Sequence, residues 1–542
     1  MTPADLATPA RTRPVVDRLL AALAGLLAAA VALAVGDLVA GLFRDVPSPR
    51  DAVGSEFIDR TPRWLKDFAI DQFGTNDKVA LRAGMLVVIG LLGLVLGALS
   101  LRRRVIGLIG FAAFGIVGAI VAAQRPVSQP LDVLPPLLAA VAGIATLWFL
   151  LDRLAPAADA RALPPSAAGV DRGVVDNLRA ELATTNRKGL DRRGFFVASA
   201  AVAAVVVAAG SAGKWLKDRF DVAASRDSVV LPRPVAKVSV TPGTAITTDG
   251  ISPFLTPNAD FYRIDTALAV PQIPADSWRL KVHGLVDREL ELTFDDLLRR
   301  NVVEAPVTLA CVSNEVGGDL IGNATWLGVP IADIIEEAGV RPEADQLKST
   351  SSDGWTCGTP VSAVTDGRAA LLAFGMNGEP LPVEHGFPVR MVVPGLYGYV
   401  SATKWVVDLE LTTFADYDAY WVRRGWSAQG PIKTQSRIDT PRPLARVAAG
   451  RVAVAGVAWA QHRGIDVVEV RADEGRWMPA RLADELSADT WRQWVWEWDA
   501  TPGRHKLEVR ATDATGAVQP EERVEPFPDG ATGWHSVVVQ VT

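Results

Sequence analysis

One cysteine in the middle of the chain stands where an apolar run gives way to a polar turn. Residues 307–310 lead directly into Cys311, and the residues that follow are polar and rich in glycine. This order predicts a thiol at the end of a strand, facing a cleft. A cysteine thiolate is a soft, anionic metal ligand. Cys311 is therefore a candidate metal ligand and catalytic residue.

The chain of 542 residues has one further cysteine, Cys357. In an exported domain, two cysteines can also form a disulfide. Three interpretations of Cys357 stay open: a buried apolar thiol, which we favour, a neighbour of the metal, or the disulfide partner of Cys311 in a metal-free protein.

A second set of residues is suited to a ligand that carries a phosphate. Arg390 offers a planar bidentate donor and Lys404 a point charge. Gly398 lets the backbone approach closely and present its N–H groups, and His385 can donate through a ring nitrogen. Each residue alone has an ordinary alternative, such as a surface ion pair or a core histidine. The prediction therefore depends on their occurrence together.

Four segments resemble one known family. They are residues 254–266 (FLTPNADFYRIDT), 308–330 (around Cys311), 375–405 (GMNGEPLPVEHGFPVRMVVPGLYGYVSATKW), and a β-rich tail with YWVRRGW, VAWA and GWHSVVVQV. In this order they resemble the sulfite-oxidase family of molybdenum enzymes, over about residues 245–542. The resemblance implies two-electron oxygen-atom transfer at a molybdenum–molybdopterin cofactor, with the metal bound by Cys311.

The resemblance also implies roles for other residues. Arg263 is expected to be catalytic and to face the substrate pocket. The residues expected around the pterin are Asn258, Tyr262, Ser313, His385, Arg390, Gly398, Tyr399, Val400 and Lys404.

Two departures from the family pattern concern the substrate. Sulfite oxidases have an arginine pair just after the position of Asn314, where this chain has Glu315 followed by valine. A carboxylate repels a dianion, so we predict a small neutral or zwitterionic substrate, such as an S- or N-oxide, rather than sulfite. The family's active-site tyrosine also has no counterpart in residues 351–360, where Trp355 or Thr356 falls near its position.

The N-terminal third reads as a membrane region. Apolar residues make up 49% of the chain, and four runs reach the length of about 20 residues that crosses a bilayer. These runs are residues 15–43, 79–99, 105–123 and 133–151. Flanking arginines place the N-terminus in the cytoplasm. Residues 44–78 are predicted as an outer loop with an amphipathic helix at residues 63–73. Because the spans contain no histidine, no haem is expected in this chain.

A fifth apolar run follows Arg192 and Arg193. It resembles a twin-arginine export signal placed inside the chain, and an ordinary fifth span with a basic flank is the alternative. Both interpretations put everything after Lys214 outside the cytoplasm. Since a small-x-small cleavage context is missing, we expect the segment to stay as an anchor.

The sequence thus predicts a multi-domain protein. Strand-length runs at residues 452–459, 465–472, 491–498, 506–511 and 534–541 predict a β-sandwich at the C-terminus. The predicted parts are an α-helical transmembrane region (1–152), a cytoplasmic linker (153–190), a fifth transmembrane helix (191–215), a linker (216–244), an α+β molybdopterin domain of sulfite-oxidase fold (245–411) and an immunoglobulin-like β-sandwich (412–542). The resemblance implies that the sandwich can form a homodimer.

We therefore predict a multi-pass protein of the cell membrane with an extracytoplasmic oxidoreductase domain. Its expected partners are a small-molecule substrate, the lipid bilayer, and a quinone or haem protein for electron transfer. A net charge of −6 and the lack of a long basic run in the presumed soluble part argue against nucleic acid. The alternative is a metal-free, membrane-tethered binding or scaffold protein. A transporter is disfavoured because the spans lack paired charges and broken helices.

Overall fold

A computed structural model of the chain describes residues 13–62, 77–125, 127–154 and 192–542, together with the single positions Leu65, Phe68 and Gln72. The chain forms two compact units that divide after Asp221. The predicted linker at residues 153–190 lies outside the described residues, apart from its first two positions.

The regular elements of the first unit are helices, among its described residues. Its helices are α1 (Arg13–Gly41), α2 (Pro49–Arg60), α3 (Asp77–Ser100), α4 (Arg104–Ala123), α5 (Leu134–Asp152) and α6 (Arg192–Asp218). All of them except α2 are long and apolar enough to cross a membrane. These five helices agree with the five predicted spans to within three residues at each end.

Helix α2 corrects the expectation of a loop after the first span. Ser48 caps it, because its Oγ accepts from the backbone N–H of Asp51 at 3.1 Å. Pro49 occupies the first turn, where a missing N–H costs nothing. This Ser-Pro-x-Asp signal was readable in the sequence. The amphipathic helix predicted at residues 63–73 falls mostly outside the described residues.

Helices α1 and α3 approach each other through glycine. A Cβ atom on Gly25 would lie 2.7 Å from the backbone nitrogen of Gly97, and one on Gly97 would lie 2.1 Å from the carbonyl oxygen of Ala21. Only a hydrogen fits at these positions. Such small-residue contacts are typical of helices that associate in lipid, where burial of apolar side chains provides little driving force.

The second unit starts with a short helix and continues into two sheets. In chain order its first part contains α7 (Ala223–Asp227), β1 (Arg279–Gly284), β2 (Leu290–Thr293), α8 (Phe294–Leu298), β3 (Val303–Ala310), β4 (Ile321–Pro330), α9 (Ile331–Ala338), β5 (Gln346–Ser351), β6 (Thr356–Pro360), α10 (Ser362–Thr365), β7 (Leu371–Met376), β8 (Glu379–Pro380), β9 (Arg390–Val392) and β10 (Val406–Thr412). One sheet has the order β2-β1-β10-β5-β6, and the other has β3-β4-β7-β8 with β9 added to β7. Strands β1 and β10 pair in parallel, and the other pairs are antiparallel.

Local sequence signals explain several of these elements. Thr293 and Asp296 form a capping box at the start of α8. Helix α9 buries one apolar stripe. That stripe consists of Ile331, Ile334, Ile335 and Ala338, which follow the spacing of a helix with one face in the core.

Two more sheets form the C-terminal sandwich, residues 435–541. Its strands are β11 (Gln435–Thr440), β12 (Arg446–Val447), β13 (Gly450–Trp459), β14 (Ile465–Ala472), β15 (Met478–Pro479), β16 (Arg481–Leu482), β17 (Arg492–Ala500), β18 (Gly503–Asp513) and β19 (His535–Val541). The sheet orders are β11-β13-β17-β16 and β12-β19-β18-β14-β15. The five predicted strands are confirmed. Trp494 and Trp498 belong to the core between the sheets, as expected for an aromatic strand face.

Strand β3 is fastened to the C-terminal sandwich at Thr308, which is fully buried. The Thr308 N–H donates to the carbonyl of Asp489 at 2.9 Å, and Gln461 Nε2 donates to the Thr308 carbonyl at 3.0 Å. The Thr308 hydroxyl accepts from the Trp491 N–H at 2.8 Å. Hydrogen bonds from Thr308 therefore join the strand that leads into Cys311 to the sandwich.

Candidate active site

Cys311 is the first residue after β3, at the start of a compact loop that runs into β4. Its N–H donates to the carbonyl of Leu320 at 2.9 Å, and the N–H of Asn314 donates to the Cys311 carbonyl at 3.1 Å. The buried Asn314 side chain accepts from the Leu320 N–H at 2.9 Å, which closes the loop. Burial raises the pKa of the Cys311 thiol, against hydrogen bonds from Ser313. A metal ion would favour the thiolate over the thiol.

Cys311 opens into a cavity that encloses, with its mouth, about 960 Å³. Eight residues predicted for the site line this cavity: Tyr262, Cys311, Ser313, His385, Arg390, Gly398, Tyr399 and Lys404. Three predicted residues, Asn258, Arg263 and Val400, are not part of its lining.

Arg390 is a buried cation at the inner end of the cavity, only 5% exposed. Its NH1 and Nε atoms donate to the carbonyls of His385 and Met391 at 3.2 and 3.3 Å, and its guanidinium lies 4.8 Å from the ring centre of Trp326. No carboxylate lies within ion-pair distance among the described residues. Burial therefore lowers the pKa of Arg390 to about 10. A buried guanidinium without a carboxylate is suited to an anionic ligand.

Lys404 is the second buried cation, and it is paired. Its Nζ lies 2.7 Å from Oδ2 of Asp265, and the Nε atom of Arg263 lies 2.8 Å from the same oxygen. Burial lowers the pKa of Lys404 to about 8, although Asp265 opposes the shift. Arg263 thus contacts Asp265, which lines the cavity, but does not line the cavity itself.

His385 is buried beside both cations. Its Nε2 donates to the carbonyl of Asn258 at 3.2 Å, which places Asn258 behind the ring. Burial, together with Arg390 and Lys404, lowers the pKa of His385 to about 4. The ring is therefore neutral at pH 7, and Nδ1 is the nitrogen left to accept.

Gly398 and Tyr399 form another part of the wall. A Cβ atom on Gly398 would be 3.6 Å from the Cβ of Ala402 and 4.0 Å from Tyr262 Oη, so it would occupy free space in the cavity. Val400 lies behind this wall, where its carbonyl accepts from Thr359 Oγ1 at 2.7 Å.

Comparisons with known proteins agree with this geometry. Residues 267–421 match the family described as "Oxidoreductase molybdopterin binding domain". Sulfite oxidase of Gallus gallus is 30% identical over 52% of this chain and 72% of its own length. The chain belongs to the sulfite-oxidase family. The matched domain is a molybdopterin-binding domain of oxidoreductases.

Two further proteins are similar to this chain. Mitochondrial sulfite oxidase of Rattus norvegicus is 30% identical over 53% of this chain, which spans 62% of that protein's length. The crystal structure of the sulfane dehydrogenase SoxCD from Paracoccus pantotrophus is 25% identical, covers 58% of this chain and 91% of its own, and has a TM-score of 0.48. Asn258, Tyr262 and Arg263 precede the matched family domain.

The cavity of this sulfite-oxidase family member fits the cofactor. Of the two buried cations, Lys404 is paired with Asp265 and Arg390 has no carboxylate partner among the described residues, which leaves its positive charge for a phosphate-bearing pterin. The unfilled space at Gly398 lets a ligand approach the backbone. The Cys311 thiol lies in the same lining and would be a suitable soft ligand for molybdenum.

Neither cysteine of this family member is in a disulfide. Cys357 is fully buried, and its Sγ lies 3.7 Å from Thr359 Oγ1. It does not line the cavity. The favoured interpretation, a buried thiol, is confirmed.

The sequence missed several lining residues of the family site. Asp265 lies two positions from Arg263, and its charge within the quoted segment was the available signal. Trp421 and Trp426 were assigned to the sandwich with their motif YWVRRGW, yet both line the cavity. Trp355, noted as a departure, also lines it, whereas Glu315 is exposed and does not.

Proposed function

We propose that the protein is a membrane-anchored molybdopterin oxidoreductase that transfers an oxygen atom to or from a small extracytoplasmic substrate other than sulfite. The observation that carries this proposal is the meeting, in one cavity, of the Cys311 thiol with the buried cations Arg390 and Lys404. A thiol alone has many roles. A thiol in one cavity with two buried cations matches the metal end and the phosphate end of the family's cofactor.

In this proposal Cys311 is the metal ligand. Arg390 and Lys404 bind the anionic groups of the pterin, and His385 and Gly398 offer further contacts. Asn258 acts through His385, since its carbonyl fixes which ring nitrogen carries the proton. Tyr262, Ser313, Tyr399 and Val400 complete the surroundings of the pterin, at the lining or directly behind it.

The bound molybdenum centre supplies two-electron chemistry between Mo(VI) and Mo(IV). The protein supplies orientation and a dry environment. Burial, and to a lesser degree the Cys311 sulfur, raises the pKa of Tyr262, so its phenol keeps its proton and can donate a hydrogen bond. Arg263 holds Asp265, and through it Lys404, in place for the substrate side.

Several features support the choice of substrate and location. Glu315 stands where the resemblance implies an arginine, and this acidic side chain beside the Cys311 loop disfavours a dianion, although it does not line the cavity. The five apolar helices support an anchor in the cell membrane, and Arg192 and Arg193 at the start of α6 support export of the unit that follows. Electrons would pass to or from a quinone or a haem protein. An immunoglobulin-like sandwich that forms a homodimer stays a prediction.

Metal analysis of the full-length protein tests the cofactor and its ligand. We would compare wild type, Cys311→Ala and Cys357→Ala, each purified from a host that makes the cofactor, and record the cysteine-to-metal absorption band. We expect about one molybdenum per chain in wild type, on the family's stoichiometry, and a band that changes only in Cys311→Ala. Cys357→Ala is the matched control, because it removes a buried thiol outside the cavity. Wild type without molybdenum would leave the metal-free scaffold as the better account.

Protease protection in spheroplasts tests the location. We expect the unit after Asp221 to be digested by external protease in wild type. Replacement of Arg192 and Arg193 by lysine should leave it protected inside, if the export signal is of the twin-arginine type. Digestion in both forms would indicate an ordinary fifth span.

A further inference from the structure

The lining of the cavity contains two groups of residues that differ in chemistry. The inner zone contains Cys311, His385, Arg390 and Lys404, none of which is more than 9% exposed. The second group is mainly aromatic, and we call it the outer chamber. It consists of Asp353, Trp355, Trp421 and Trp426, which are partly exposed, and of Tyr399, which is 8% exposed.

The aromatic rings of the outer chamber are held at fixed angles. The ring centres of Tyr399 and Trp426 lie 6.0 Å apart at 50°, and those of Trp421 and Trp426 lie 6.4 Å apart at 77°. Tyr399 Oη donates to the carbonyl of Ser427 at 2.8 Å, which fixes its ring. Rings that meet at such angles present both faces and edges to the space they share.

Backbone contacts bring the remaining indole to the same wall. The Tyr420 N–H donates to Thr356 Oγ1 at 3.1 Å. Their sequence neighbours Trp421 and Trp355 are thereby held on adjoining segments, and both line the cavity. The outer chamber is therefore a built arrangement of three indoles and a phenol, rather than a chance exposure of one side chain.

Charge separates the two zones. The described lysine and arginine side chains of the lining are Arg390 and Lys404, both in the inner zone, where Asp265 pairs with Lys404. The outer chamber contributes the carboxylate of Asp353 and no cation among the described residues. Aromatic faces beside a carboxylate attract cations. The chain already uses indoles in this way, since Lys404 Nζ lies 4.7 Å from the ring centre of Trp405.

A buried hydroxyl indicates that a ligand completes this region. Ser351 lines the cavity, is 2% exposed, and its Oγ has no hydrogen-bond partner among the described residues. It lies two positions before Asp353, on the segment that forms the chamber wall. Buried polar groups are nearly always paired, so the hydroxyl is expected to contact a bound molecule.

We propose that the outer chamber binds an alkylated cationic group of the substrate, of the quaternary ammonium type. The aromatic faces contact the alkyl groups and Asp353 balances the charge, so the rest of the substrate points towards Cys311. This inference deepens the proposed function. The statement that the bound molecule is a substrate rests on that proposed function. The binding claim itself needs only the chamber.

Calorimetric titration of the full-length protein tests the claim with a pair of probes. The first probe is choline, and the second is neohexyl alcohol, which has the same shape with carbon in place of nitrogen. Both are titrated into wild type, Trp426→Leu and Asp353→Asn. Trp477→Leu is the matched control, because Trp477 also stacks against a cation, Arg471 at 4.5 Å, but does not line the cavity.

We expect wild type to bind choline at least about tenfold more tightly than neohexyl alcohol. Trp426→Leu and Asp353→Asn should each weaken choline binding by about tenfold and change the alcohol little, while Trp477→Leu matches wild type. Equal affinity for both probes, no binding of choline, or choline binding unaltered in both chamber variants would overturn the proposal.

Molybdenum measured on the same samples separates the two claims. Discrimination between the probes in protein without molybdenum would support the chamber and refute the proposed function. Molybdenum bound through Cys311, together with equal affinity for the two probes, would support the proposed function and refute the chamber.

Discussion

The Nζ atom of Lys404 lies 2.7 Å from Oδ2 of Asp265, in a position where both groups are almost completely buried. The same carboxylate oxygen accepts from Arg263. Asp265 therefore favours the charged form of Lys404, whereas burial favours the neutral form. The positive charge that Lys404 could offer to the cofactor thus depends on the negative charge of Asp265.

Replacement of Asp265 by asparagine should make cofactor retention depend on pH. The pKa of Lys404 is already lowered to about 8, and loss of the carboxylate lowers it further, so the amine becomes neutral near pH 7. Since the protonated amine binds phosphate, retention should rise as pH falls from 8 to 6 in Asp265→Asn. In wild type it should weaken only above about pH 8. Molybdenum content after dialysis at each pH measures this.

The control for that experiment is Asp366→Asn, which removes a carboxylate that pairs with Arg368 away from the cavity. It should retain the cofactor as wild type does. A flat pH profile in Asp265→Asn would show that Lys404 does not hold the anionic group.

Arg390→Met should affect stability and cofactor binding in opposite directions. Without cofactor, Arg390 is a buried cation that lacks a carboxylate, and an apolar side chain of similar length removes its desolvation cost. We expect the free energy of unfolding of the cofactor-free protein to rise by about 1–2 kcal/mol, while molybdenum content falls. Thermal unfolding and metal analysis on the same preparations measure the two effects.

Arg463→Met provides the contrast. Arg463 pairs with the buried carboxylate of Asp513 at 2.9 Å, so its loss leaves a buried charge alone and should destabilise the protein by about 3 kcal/mol or more. Cofactor-free Arg390→Met that unfolds as easily as Arg463→Met would contradict our account of Arg390.

Gly398→Leu should exclude the cofactor and leave the fold intact. The new side chain would enter free space in the cavity, because the nearest atom to a Cβ is 3.6 Å away. Overpacking of a binding site costs about 1–3 kcal/mol, which is about a tenfold or greater loss of affinity. Molybdenum content should fall while the unfolding temperature of the cofactor-free protein stays unchanged. Gly210→Leu, with no atom within 4 Å of its Cβ position, should retain the metal.

His535 should make the protein less stable below neutral pH. Its Nδ1 accepts from the Ile438 N–H at 2.9 Å, and burial lowers its pKa from 6.5 to about 4. Between these values the unfolded chain binds a proton that the folded chain does not. Stability is therefore complete above pH 6.5 and is lost by about 1–3 kcal/mol as pH falls to 4. Thermal unfolding across this range should show a shallower loss in His535→Gln, and equal slopes would exclude this histidine.

Much of the fold could be predicted because its signals are local. Hydropathy located five helices, and alternation located the long strands of the sandwich. The short strands β12, β15 and β16 have two residues each and carry no period to detect. Helix α2 was missed although its cap was readable, because the mixed charge of its surroundings suggested a loop.

The candidate site was predictable where one residue type has one chemistry. Cys311 and Arg390 are examples, since a thiol and a guanidinium each suggest a ligand directly. The pairing of Arg263 with Asp265 could not be predicted, because side-chain partners depend on rotamers and not on order. Trp421 and Trp426 were grouped with the C-terminal sandwich and not with the cavity that they line. The sequence does not distinguish an indole in a core from an indole in a cavity wall.

The contacts of Thr308 join two parts of the chain that are far apart in sequence. A chain cut after β10 would lose the partners of the Thr308 N–H, carbonyl and hydroxyl together, on the strand that ends at Cys311. A sandwich taken from another protein would have to supply the same contacts to that strand. In this chain, the strand that presents Cys311 is therefore supported by residues that lie 153 and 183 positions further along.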